Sequence, residues 1–114
     1  LAGGIVENTV AAMQSEPTWA WMGAAISQDC FEIGAEVKAA FCSKYPEVES
    51  AFKVGEKEGK YYADLYAMAR YILNQQGIQL VLGGDECSFT QADEYFSYRR
   101  EAKTGRMATF VFMA

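Results

Sequence analysis

Hydrophobic residues recur at helical spacing in three separate stretches of this chain. The first stretch predicts a helix over Leu1–Gln14, and the second predicts a helix over Gly34–Lys44 that Pro46 ends. The third is the most clearly amphipathic, with apolar positions at Leu65, Met68, Ala69, Ile72 and Leu73. Asp64 before it suits an N-cap and Gly77 after it suits a C-terminal stop. A catalytic Asp64 is the alternative, and its place just before an apolar stripe favours capping.

Short apolar runs without that spacing predict strands at Thr18–Met22, Ile78–Leu82 and Thr109–Met113. Trp19 and Trp21 alternate with a small residue, so both can face one side of a sheet, and core packing is the favoured interpretation of both. The last strand is apolar on both faces, which is typical of a strand covered by a layer on each side. The order α-β-α-α-β-β indicates an α/β (α+β) fold.

Length and composition restrict the class of protein. The chain has 114 residues, of which 51% are hydrophobic, enough for the core of one domain or of part of one. A formal net charge of −5 argues against nucleic acid as a partner, and no apolar run is long enough to span a membrane. Three cysteines without C-x-x-C spacing indicate reduced thiols and a cytoplasmic location. The first helix has neither a capping residue nor an initiator methionine before it, so we expect the chain to begin inside a longer protein.

The segment Gly83–Ala114 contains the most concentrated candidate chemistry. Aromatic residues in it lead into a basic island, whose members are Arg99, Arg100, Lys103 and Arg106. Arginines beside aromatic rings often form a pocket wall for an anionic or ring-bearing ligand. Composition alone favours the alternative, a solvated loop whose arginines pair with Glu94 and Glu101. Adjacent residues of an extended segment point to opposite faces, so we expect one of Arg99 and Arg100 to face a ligand and the other to pair with an acid.

Other polar positions follow the first predicted strand. The loop Gly23–Asp29 lies where ligand sites often form in α/β proteins. Cys30 could act as a nucleophile, but the chain has no histidine to activate a thiol, so an inert cysteine is favoured there and at Cys87. Glu32 either contacts a substrate or begins the next helix, where its charge suits the helix dipole.

The order of residues in several short motifs is more specific than their composition. The motifs are Trp21-Met22-Gly23-Ala24-Ala25-Ile26, Phe31-Glu32-Ile33-Gly34, Phe96-Ser97-Tyr98-Arg99-Arg100 and Thr104-Gly105-Arg106-Met107-Ala108. Together they resemble the C-terminal half of proteins of the laccase-domain family. Its members were first called multicopper polyphenol oxidases and later described as purine nucleoside phosphorylases with adenosine deaminase side activity. The sequence departs from the family pattern at Ala24, where proline is usual, and at Ser27, where glycine is usual.

The resemblance implies that this chain is one part of a larger domain. Residues 1–114 would form the C-terminal half of a single domain with a four-layer α/β/β/α architecture and mixed sheets. The family's zinc or copper site uses two histidines and a cysteine from the N-terminal half. Because this chain has no histidine, we expect it to bind no metal on its own, to be inactive in isolation, and to have the missing N-terminal half as its partner.

The substrates that the resemblance implies are a purine nucleoside and phosphate. Arg99 and Arg100 suit phosphate, because arginine makes charge-assisted, bidentate hydrogen bonds. Tyr98 or Phe31 could stack on a base, and Glu32 could contact the substrate. The competing hypothesis is a non-catalytic binding or assembly module that docks on a partner chain. A third, a stand-alone cysteine hydrolase, is disfavoured because the chain offers the thiol no histidine base.

Overall fold

The structure, a computed structural model, describes residues 1–112. Its regular elements are the helices α1 (Ile5–Ala12), α2 (Ala35–Lys44) and α3 (Leu65–Gln75) and the strands β1 (Trp19–Met22), β2 (Glu32–Gly34), β3 (Phe52–Val54), β4 (Lys60–Ala63) and β5 (Leu80–Gly83). Short 3₁₀ turns cover Gln28–Cys30 and Pro46–Ala51. The three predicted helices and the first two predicted strands are all present, with shifted ends.

The strands form one parallel and one antiparallel sheet. β1 pairs with β5 in parallel, with Trp19 opposite Leu80 and Trp21 opposite Leu82. The second sheet is antiparallel and has the order β2-β4-β3. A polar turn that contains Gly55 and Gly59 joins β3 to β4. Helices combined with parallel and antiparallel pairing confirm the α/β fold class.

The core lies between α2, α3 and the antiparallel sheet. Its buried members are Ile33, Phe41, Val48, Ala51, Ala63 and Met68. Asp64 caps α3, since its carboxylate Oδ1 accepts a hydrogen bond from the Ala67 amide at 2.9 Å. Met68 and Ile72 on the same helix are completely buried. The predicted cap and apolar stripe of α3 are therefore confirmed.

The sequence did not predict the antiparallel sheet. Each of its strands has only three or four residues, which is too short for a period of two to stand out. Glu32 lies in β2, opposite Tyr62 of β4, so it does not begin α2. The interpretation of Glu32 as the first residue of a helix was wrong, because pairing with a strand thirty residues away decides its conformation.

One face of the parallel sheet is exposed, contrary to the expectation that its tryptophans lie in the core. Trp19 is 53% exposed and Trp21 is 54% exposed, and their partners Leu80 and Leu82 are also exposed. The alternate positions Ala20 and Met22 of β1 are partly buried. These four exposed residues are called the apolar sheet face below.

The C-terminal segment does not form the predicted last strand within the described residues. Residues 103–112 have no regular structure, and Phe110 and Phe112 are each 85% exposed. Met113, the end of that predicted strand, lies outside the described residues. A strand that is apolar on both faces needs a neighbouring strand and two covering layers, and residues 1–112 place none of these beside it. Within the same residues, the helices are too short or too polar to cross a lipid bilayer.

Candidate functional site

A cavity of about 610 Å³ lies where the two parallel strands end. The carboxyl ends of β1 and β5 contribute one part of its lining, namely Trp21, Met22, Gly23, Ala24, Asp85 and Glu86. The C-terminal segment contributes the rest, including Tyr95, Phe96, Tyr98, Thr104, Gly105, Arg106 and Met107. The edge at the carboxyl ends of parallel strands is the usual place for ligands in α/β proteins. The loop after β1 borders this cavity, as the sequence predicted.

Two consecutive glycines allow the chain to turn sharply out of β5 into the cavity wall. Gly83 and Gly84 have φ angles of 79° and 90°, in the left-handed region that side chains disfavour. A Cβ atom on Gly83 would clash with the carbonyl oxygen of Met22, and one on Gly84 would lie 2.8 Å from the Met22 Cε atom. The turn therefore requires glycine for both conformation and space. Asp85 and Glu86 reach the cavity because of this turn.

Tyr66 of α3 joins the two loops that follow the parallel strands. Its hydroxyl accepts a hydrogen bond from the Ala25 amide at 2.7 Å and donates one to the Glu86 carbonyl at 2.7 Å. Burial raises the pKa of Tyr66, so the phenol keeps its proton and can donate. Sequence reasoning missed this residue. The only signal was an aromatic residue beside the apolar stripe of α3.

Aromatic rings and one arginine form the side of the cavity that the C-terminal segment contributes. Tyr98 is 66% exposed and its ring is available to a ligand. Phe96 packs so closely on Gly105 that a Cβ atom there would lie 2.8 Å from the Phe96 ring. Arg106 follows this contact and is the cation that lines the cavity. The sequence placed Arg106 in the basic island without assigning it to a site.

Arg100 does not line this cavity and has a different environment from Arg106. Its guanidinium Nη1 donates to the carbonyls of Ser88 and Phe89 at 2.8 and 2.9 Å, and Nη2 donates to the Tyr95 carbonyl at 2.7 Å. These hydrogen bonds hold the loop after Cys87 in place. The expectation that one of the two arginines pairs with an acid was wrong for Arg100, since its terminal nitrogens donate to three backbone oxygens instead. This geometry favours a structural role over phosphate binding.

Arg99 is exposed and lies beside the other predicted site residues. Its guanidinium carbon is 5.2 Å from the centre of the Phe31 ring, and Nη1 donates to the Glu32 carbonyl at 2.7 Å. The structure therefore brings Arg99, Phe31 and the main chain of Glu32 together. Tyr98 faces the cavity described above, which neither Arg99 nor Phe31 lines.

A second cavity, of about 510 Å³, contains a thiol in an unusual setting. Cys87 lines this cavity together with Ser27, Asp64, Tyr66 and Arg70. Burial acts to raise the pKa of Cys87, but hydrogen bonds from the hydroxyl and amide groups of Ser27 and Thr90 outweigh it, so the pKa falls to about 6. The sequence treated Cys87 as an inert structural cysteine. The donors that stabilise its thiolate could not be seen, because Ser27 is sixty residues away in the chain.

The described residues do not fit a complete metal site. Among residues 1–112, no three His, Cys, Asp or Glu side chains come close enough together to hold a metal ion, and the chain contains no histidine. Catalytic zinc sites in enzymes use three protein ligands. Residues 1–112 therefore do not supply the ligand set of such a site.

Comparison with known proteins identifies a family. The profile of the family described as multi-copper polyphenol oxidoreductase laccase matches residues 1–114. A purine nucleoside phosphorylase of Shigella flexneri, YfiH, is 40% identical over 99% of the chain and 46% of its own length. An adenosine deaminase named RL5, from an unknown prokaryotic organism, is 32% identical over 80% of the chain and 36% of its own length.

A solved structure shares the fold. The crystal structure of the Neisseria meningitidis protein NMB0706, of the family DUF152, matches with a TM-score of 0.84 and 47% sequence identity. The match covers 91% of this chain and 43% of that protein. The chain thus spans less than half the length of the relatives it matches.

Proposed function

The chain belongs to the family described as multi-copper polyphenol oxidoreductase laccase, and we propose that it forms the C-terminal half of a purine nucleoside phosphorylase domain of that family. The observation that carries this proposal is the cavity at the ends of β1 and β5, in a chain 40% identical to a protein named as such a phosphorylase. Its volume lies within the range of about 300–1,000 Å³ that small-molecule sites usually have. Its aromatic rings and arginine suit a purine and an anion.

The cavity's side chains suggest a division of roles. Tyr98 presents an exposed ring on which a purine base can stack. Arg106 lines the cavity, and its guanidinium can donate to an anionic oxygen in addition to the Thr104 and Gly105 carbonyls that Nη1 contacts. The carboxylates of Asp85 and Glu86 can accept hydrogen bonds from ribose hydroxyls or base N–H groups.

Phosphorolysis also needs a site for inorganic phosphate, which attacks the carbon of the glycosidic bond. Arg99 is the better candidate of the two predicted arginines, because it is exposed, whereas both terminal nitrogens of Arg100 already donate to backbone carbonyls. Phe31 and the Glu32 carbonyl orient the Arg99 guanidinium. In this proposal Phe31 and Glu32 therefore position Arg99, and stacking on the base falls to Tyr98.

The rest of the family domain completes the site and covers the apolar sheet face. Four large apolar side chains exposed on one sheet favour a second layer packed against them. Such a layer would produce the four-layer arrangement that the family resemblance implies. A zinc or copper ion in the full-length protein would take its ligands from that other half. The cytoplasmic location expected from three free cysteines stays a prediction.

The same exposed face supports the alternative function, a binding or assembly module without catalytic activity. In that case the layer that covers Trp19 and Trp21 would belong to a different protein. The two functions differ in what the full-length protein does with nucleosides. Activity that depends on the cavity residues supports the first, and binding without turnover supports the second.

The direct test is to incubate the full-length protein with a purine nucleoside, with and without phosphate. We expect free base and ribose 1-phosphate to form only when phosphate is present. Ammonia release from adenosine would reveal deamination, and oxidation of a phenol would reveal polyphenol oxidase activity. Tyr98→Ala and Arg106→Ala should reduce phosphorolysis, whereas Lys103→Ala, exposed in the same segment, should not. Equal activity of all three variants and wild type would contradict the assignment of the cavity.

A further inference from the structure

The chains that leave β1 and β5 separate and then meet again. Met22 at the end of β1 pairs with Gly83 at the end of β5. Further along, Ala25 and Cys87 form a parallel bridge, and the Ser88 amide donates to the Ala25 carbonyl at 2.9 Å. The two chains are therefore fixed to each other at both ends of a short interval, which is called the split below.

The split is unequal on its two sides. Residues 23 and 24 lie on the β1 side, whereas residues 84–86 lie on the β5 side, which is one residue more. An extra residue on one strand bends that strand and redirects its side chains, and such bulges are common beside active sites. Most residues of the split line the first cavity, namely Gly23, Ala24, Asp85 and Glu86. The split therefore forms one wall of that cavity.

The Tyr66 hydroxyl lies at the split and contacts the main chain on both of its sides. It accepts a hydrogen bond from the Ala25 amide and donates one to the Glu86 carbonyl, each at 2.7 Å. The Gly23 carbonyl oxygen is 3.3 Å from the same hydroxyl. Tyr66 is only 9% exposed and does not line the first cavity. It thus acts on the cavity through residues of its wall.

We propose that Tyr66 is a positioning residue for the purine nucleoside, because its hydroxyl sets the distance between the two sides of the split and so the width of the first cavity. This inference rests on the proposed function, which places the nucleoside in that cavity. Tyr66 does not touch the substrate and takes no part in bond breaking. Its hydroxyl stands in for main-chain pairing between the two chains, and it keeps Gly23 and Glu86 at a fixed separation.

The contacts of Tyr66 concern only one of the two substrates. Arg99, the candidate for phosphate, lies over Phe31 and donates to the carbonyl of Glu32 in the antiparallel sheet. Tyr66 instead holds the loops at the ends of the parallel strands. Loss of its hydroxyl should therefore weaken the binding of the nucleoside and leave the binding of phosphate unchanged. A residue that only stabilised the fold would not separate the two substrates in this way.

The test is Tyr66→Phe in the full-length protein, which removes the hydroxyl and keeps the ring. Phosphorolysis is measured below the unfolding temperature of the variant, with inosine and phosphate varied in turn. We expect KM for inosine to rise about five- to tenfold, as for the loss of one hydrogen bond, and KM for phosphate to stay the same. Tyr71→Phe is the matched control, since it removes a hydroxyl from the same helix at a ring that packs on the core and lines neither of the two cavities described above. It should leave both KM values unchanged.

Hydrogen–deuterium exchange of the full-length wild type is a second measurement that needs no variant. Inosine should slow amide exchange in peptides that contain residues 23–25 and in peptides that contain residues 84–87. The control is α2, residues 35–44, where exchange should not change. Phosphate alone should slow exchange in neither loop. This measurement decides the matter even if Tyr66→Phe does not fold.

The outcomes distinguish failure of this inference from failure of the proposed function. If the wild type cleaves inosine and Tyr66→Phe keeps both KM values, Tyr66 only stabilises the fold and the inference is overturned, while the function stands. The same holds if bound inosine slows exchange in neither loop. If the wild type neither binds nor cleaves a purine nucleoside, the proposed function fails and the inference fails with it.

Discussion

Arg99 and Arg100 are adjacent in the chain, but their guanidinium groups make different contacts. Arg99 is exposed over Phe31, and Arg100 is bonded to three carbonyl oxygens. Lysine keeps the charge at either position but loses the planar fork of donors. Replacement of each by lysine therefore tests positioning of an anion at Arg99 and support of a loop at Arg100.

For Arg99→Lys in the full-length protein, we expect phosphorolysis to fall at least about tenfold, or about 1.4 kcal/mol of transition-state stabilisation. The measurement is kcat/KM with phosphate as the varied substrate. Thermal stability should change little, because the residue is exposed. Unchanged turnover and phosphate dependence would show that Arg99 is a surface residue with no part in the reaction.

For Arg100→Lys, we expect a loss of stability of about 1–3 kcal/mol, because a single ammonium group cannot reach all three of the part-buried carbonyls that the guanidinium bridges. Denaturant unfolding measures this loss. The kcat of the folded variant should stay near that of the wild type. A stable variant with strongly reduced turnover would show that Arg100 contacts the substrate after all.

The reactivity of the single residue Cys87 should depend on pH in a predictable way. Only the thiolate reacts with iodoacetamide, and hydrogen bonds lower the pKa of this thiol to about 6. Its alkylation rate should therefore rise as pH increases through about 6 and level off above it. Ser27→Ala removes a donor and should move this midpoint upward. A wild-type midpoint near the ordinary cysteine pKa of about 8.5 would contradict the stabilised thiolate.

Among the elements, α3 contributes both to the core and to the candidate site. It begins at the Asp64 cap, buries Met68 and Ile72, and directs Tyr66 toward the loops after β1 and β5. A change at the capping residue Asp64 should therefore affect both the stability of the protein and the geometry of the site.

Asp64→Ala should destabilise the protein by about 1 kcal/mol, because the Ala67 amide loses its acceptor. Asp64→Asn retains an acceptor oxygen at this position and should recover most of the loss. Chemical denaturation of both variants provides the measurement. If Asp64→Asn is stable but inactive in phosphorolysis, the carboxylate is catalytic and capping is only part of its role.

The turn that ends β5 gives a second prediction at the scale of the element. Gly83→Ala should cost about 1–3 kcal/mol from the left-handed backbone, and more because the new Cβ meets the Met22 carbonyl. Gly77 is the matched control, since its φ is 85° and a Cβ there meets nothing within 4 Å. Denaturant unfolding should show a larger loss for Gly83→Ala than for Gly77→Ala. Equal losses would mean that β1 and β5 can move apart at this point, and relieve the contact with the Met22 carbonyl, without a further loss of stability.

At the scale of the whole molecule, most of the large apolar side chains that are exposed within residues 1–112 lie in two places. They are the apolar sheet face and the C-terminal segment that contains Phe110 and Phe112. Under the proposed function, both are buried by the other half of the family domain. Burial of this kind has a measurable consequence for stability.

In the full-length protein, Phe110→Ala should cost about 3–5 kcal/mol, the usual loss for a buried phenylalanine. Val54→Ala is a suitable control, because Val54 is also highly exposed but lies on β3, at the edge of the antiparallel sheet. That variant should change stability by less than about 0.5 kcal/mol. A loss below about 1 kcal/mol for Phe110→Ala would show that the tail stays at the surface of the full-length protein.

The sequence by itself determined the features that depend on neighbouring residues. The apolar stripe of α3, its Asp64 cap and the glycine pair after β5 each follow from local spacing or from the conformational freedom of one residue type. The motifs around Tyr98 and Arg106 were enough to indicate the family. They also indicated that ligand chemistry lies in the C-terminal segment.

Only the tertiary structure decided which of these side chains meet. The sequence named Tyr98, but it could not show that Arg106 lines the same cavity or that Tyr66 joins the two loops around it. It also could not distinguish Arg99 from Arg100, because their partners are carbonyl oxygens, which every residue type supplies. The tryptophans of β1 were assigned to the core because large aromatic side chains usually pack there. No layer within residues 1–112 covers them. Contacts between distant segments, such as that of Ser27 with Cys87, leave no periodic pattern in the chain, so only the folded structure reveals them.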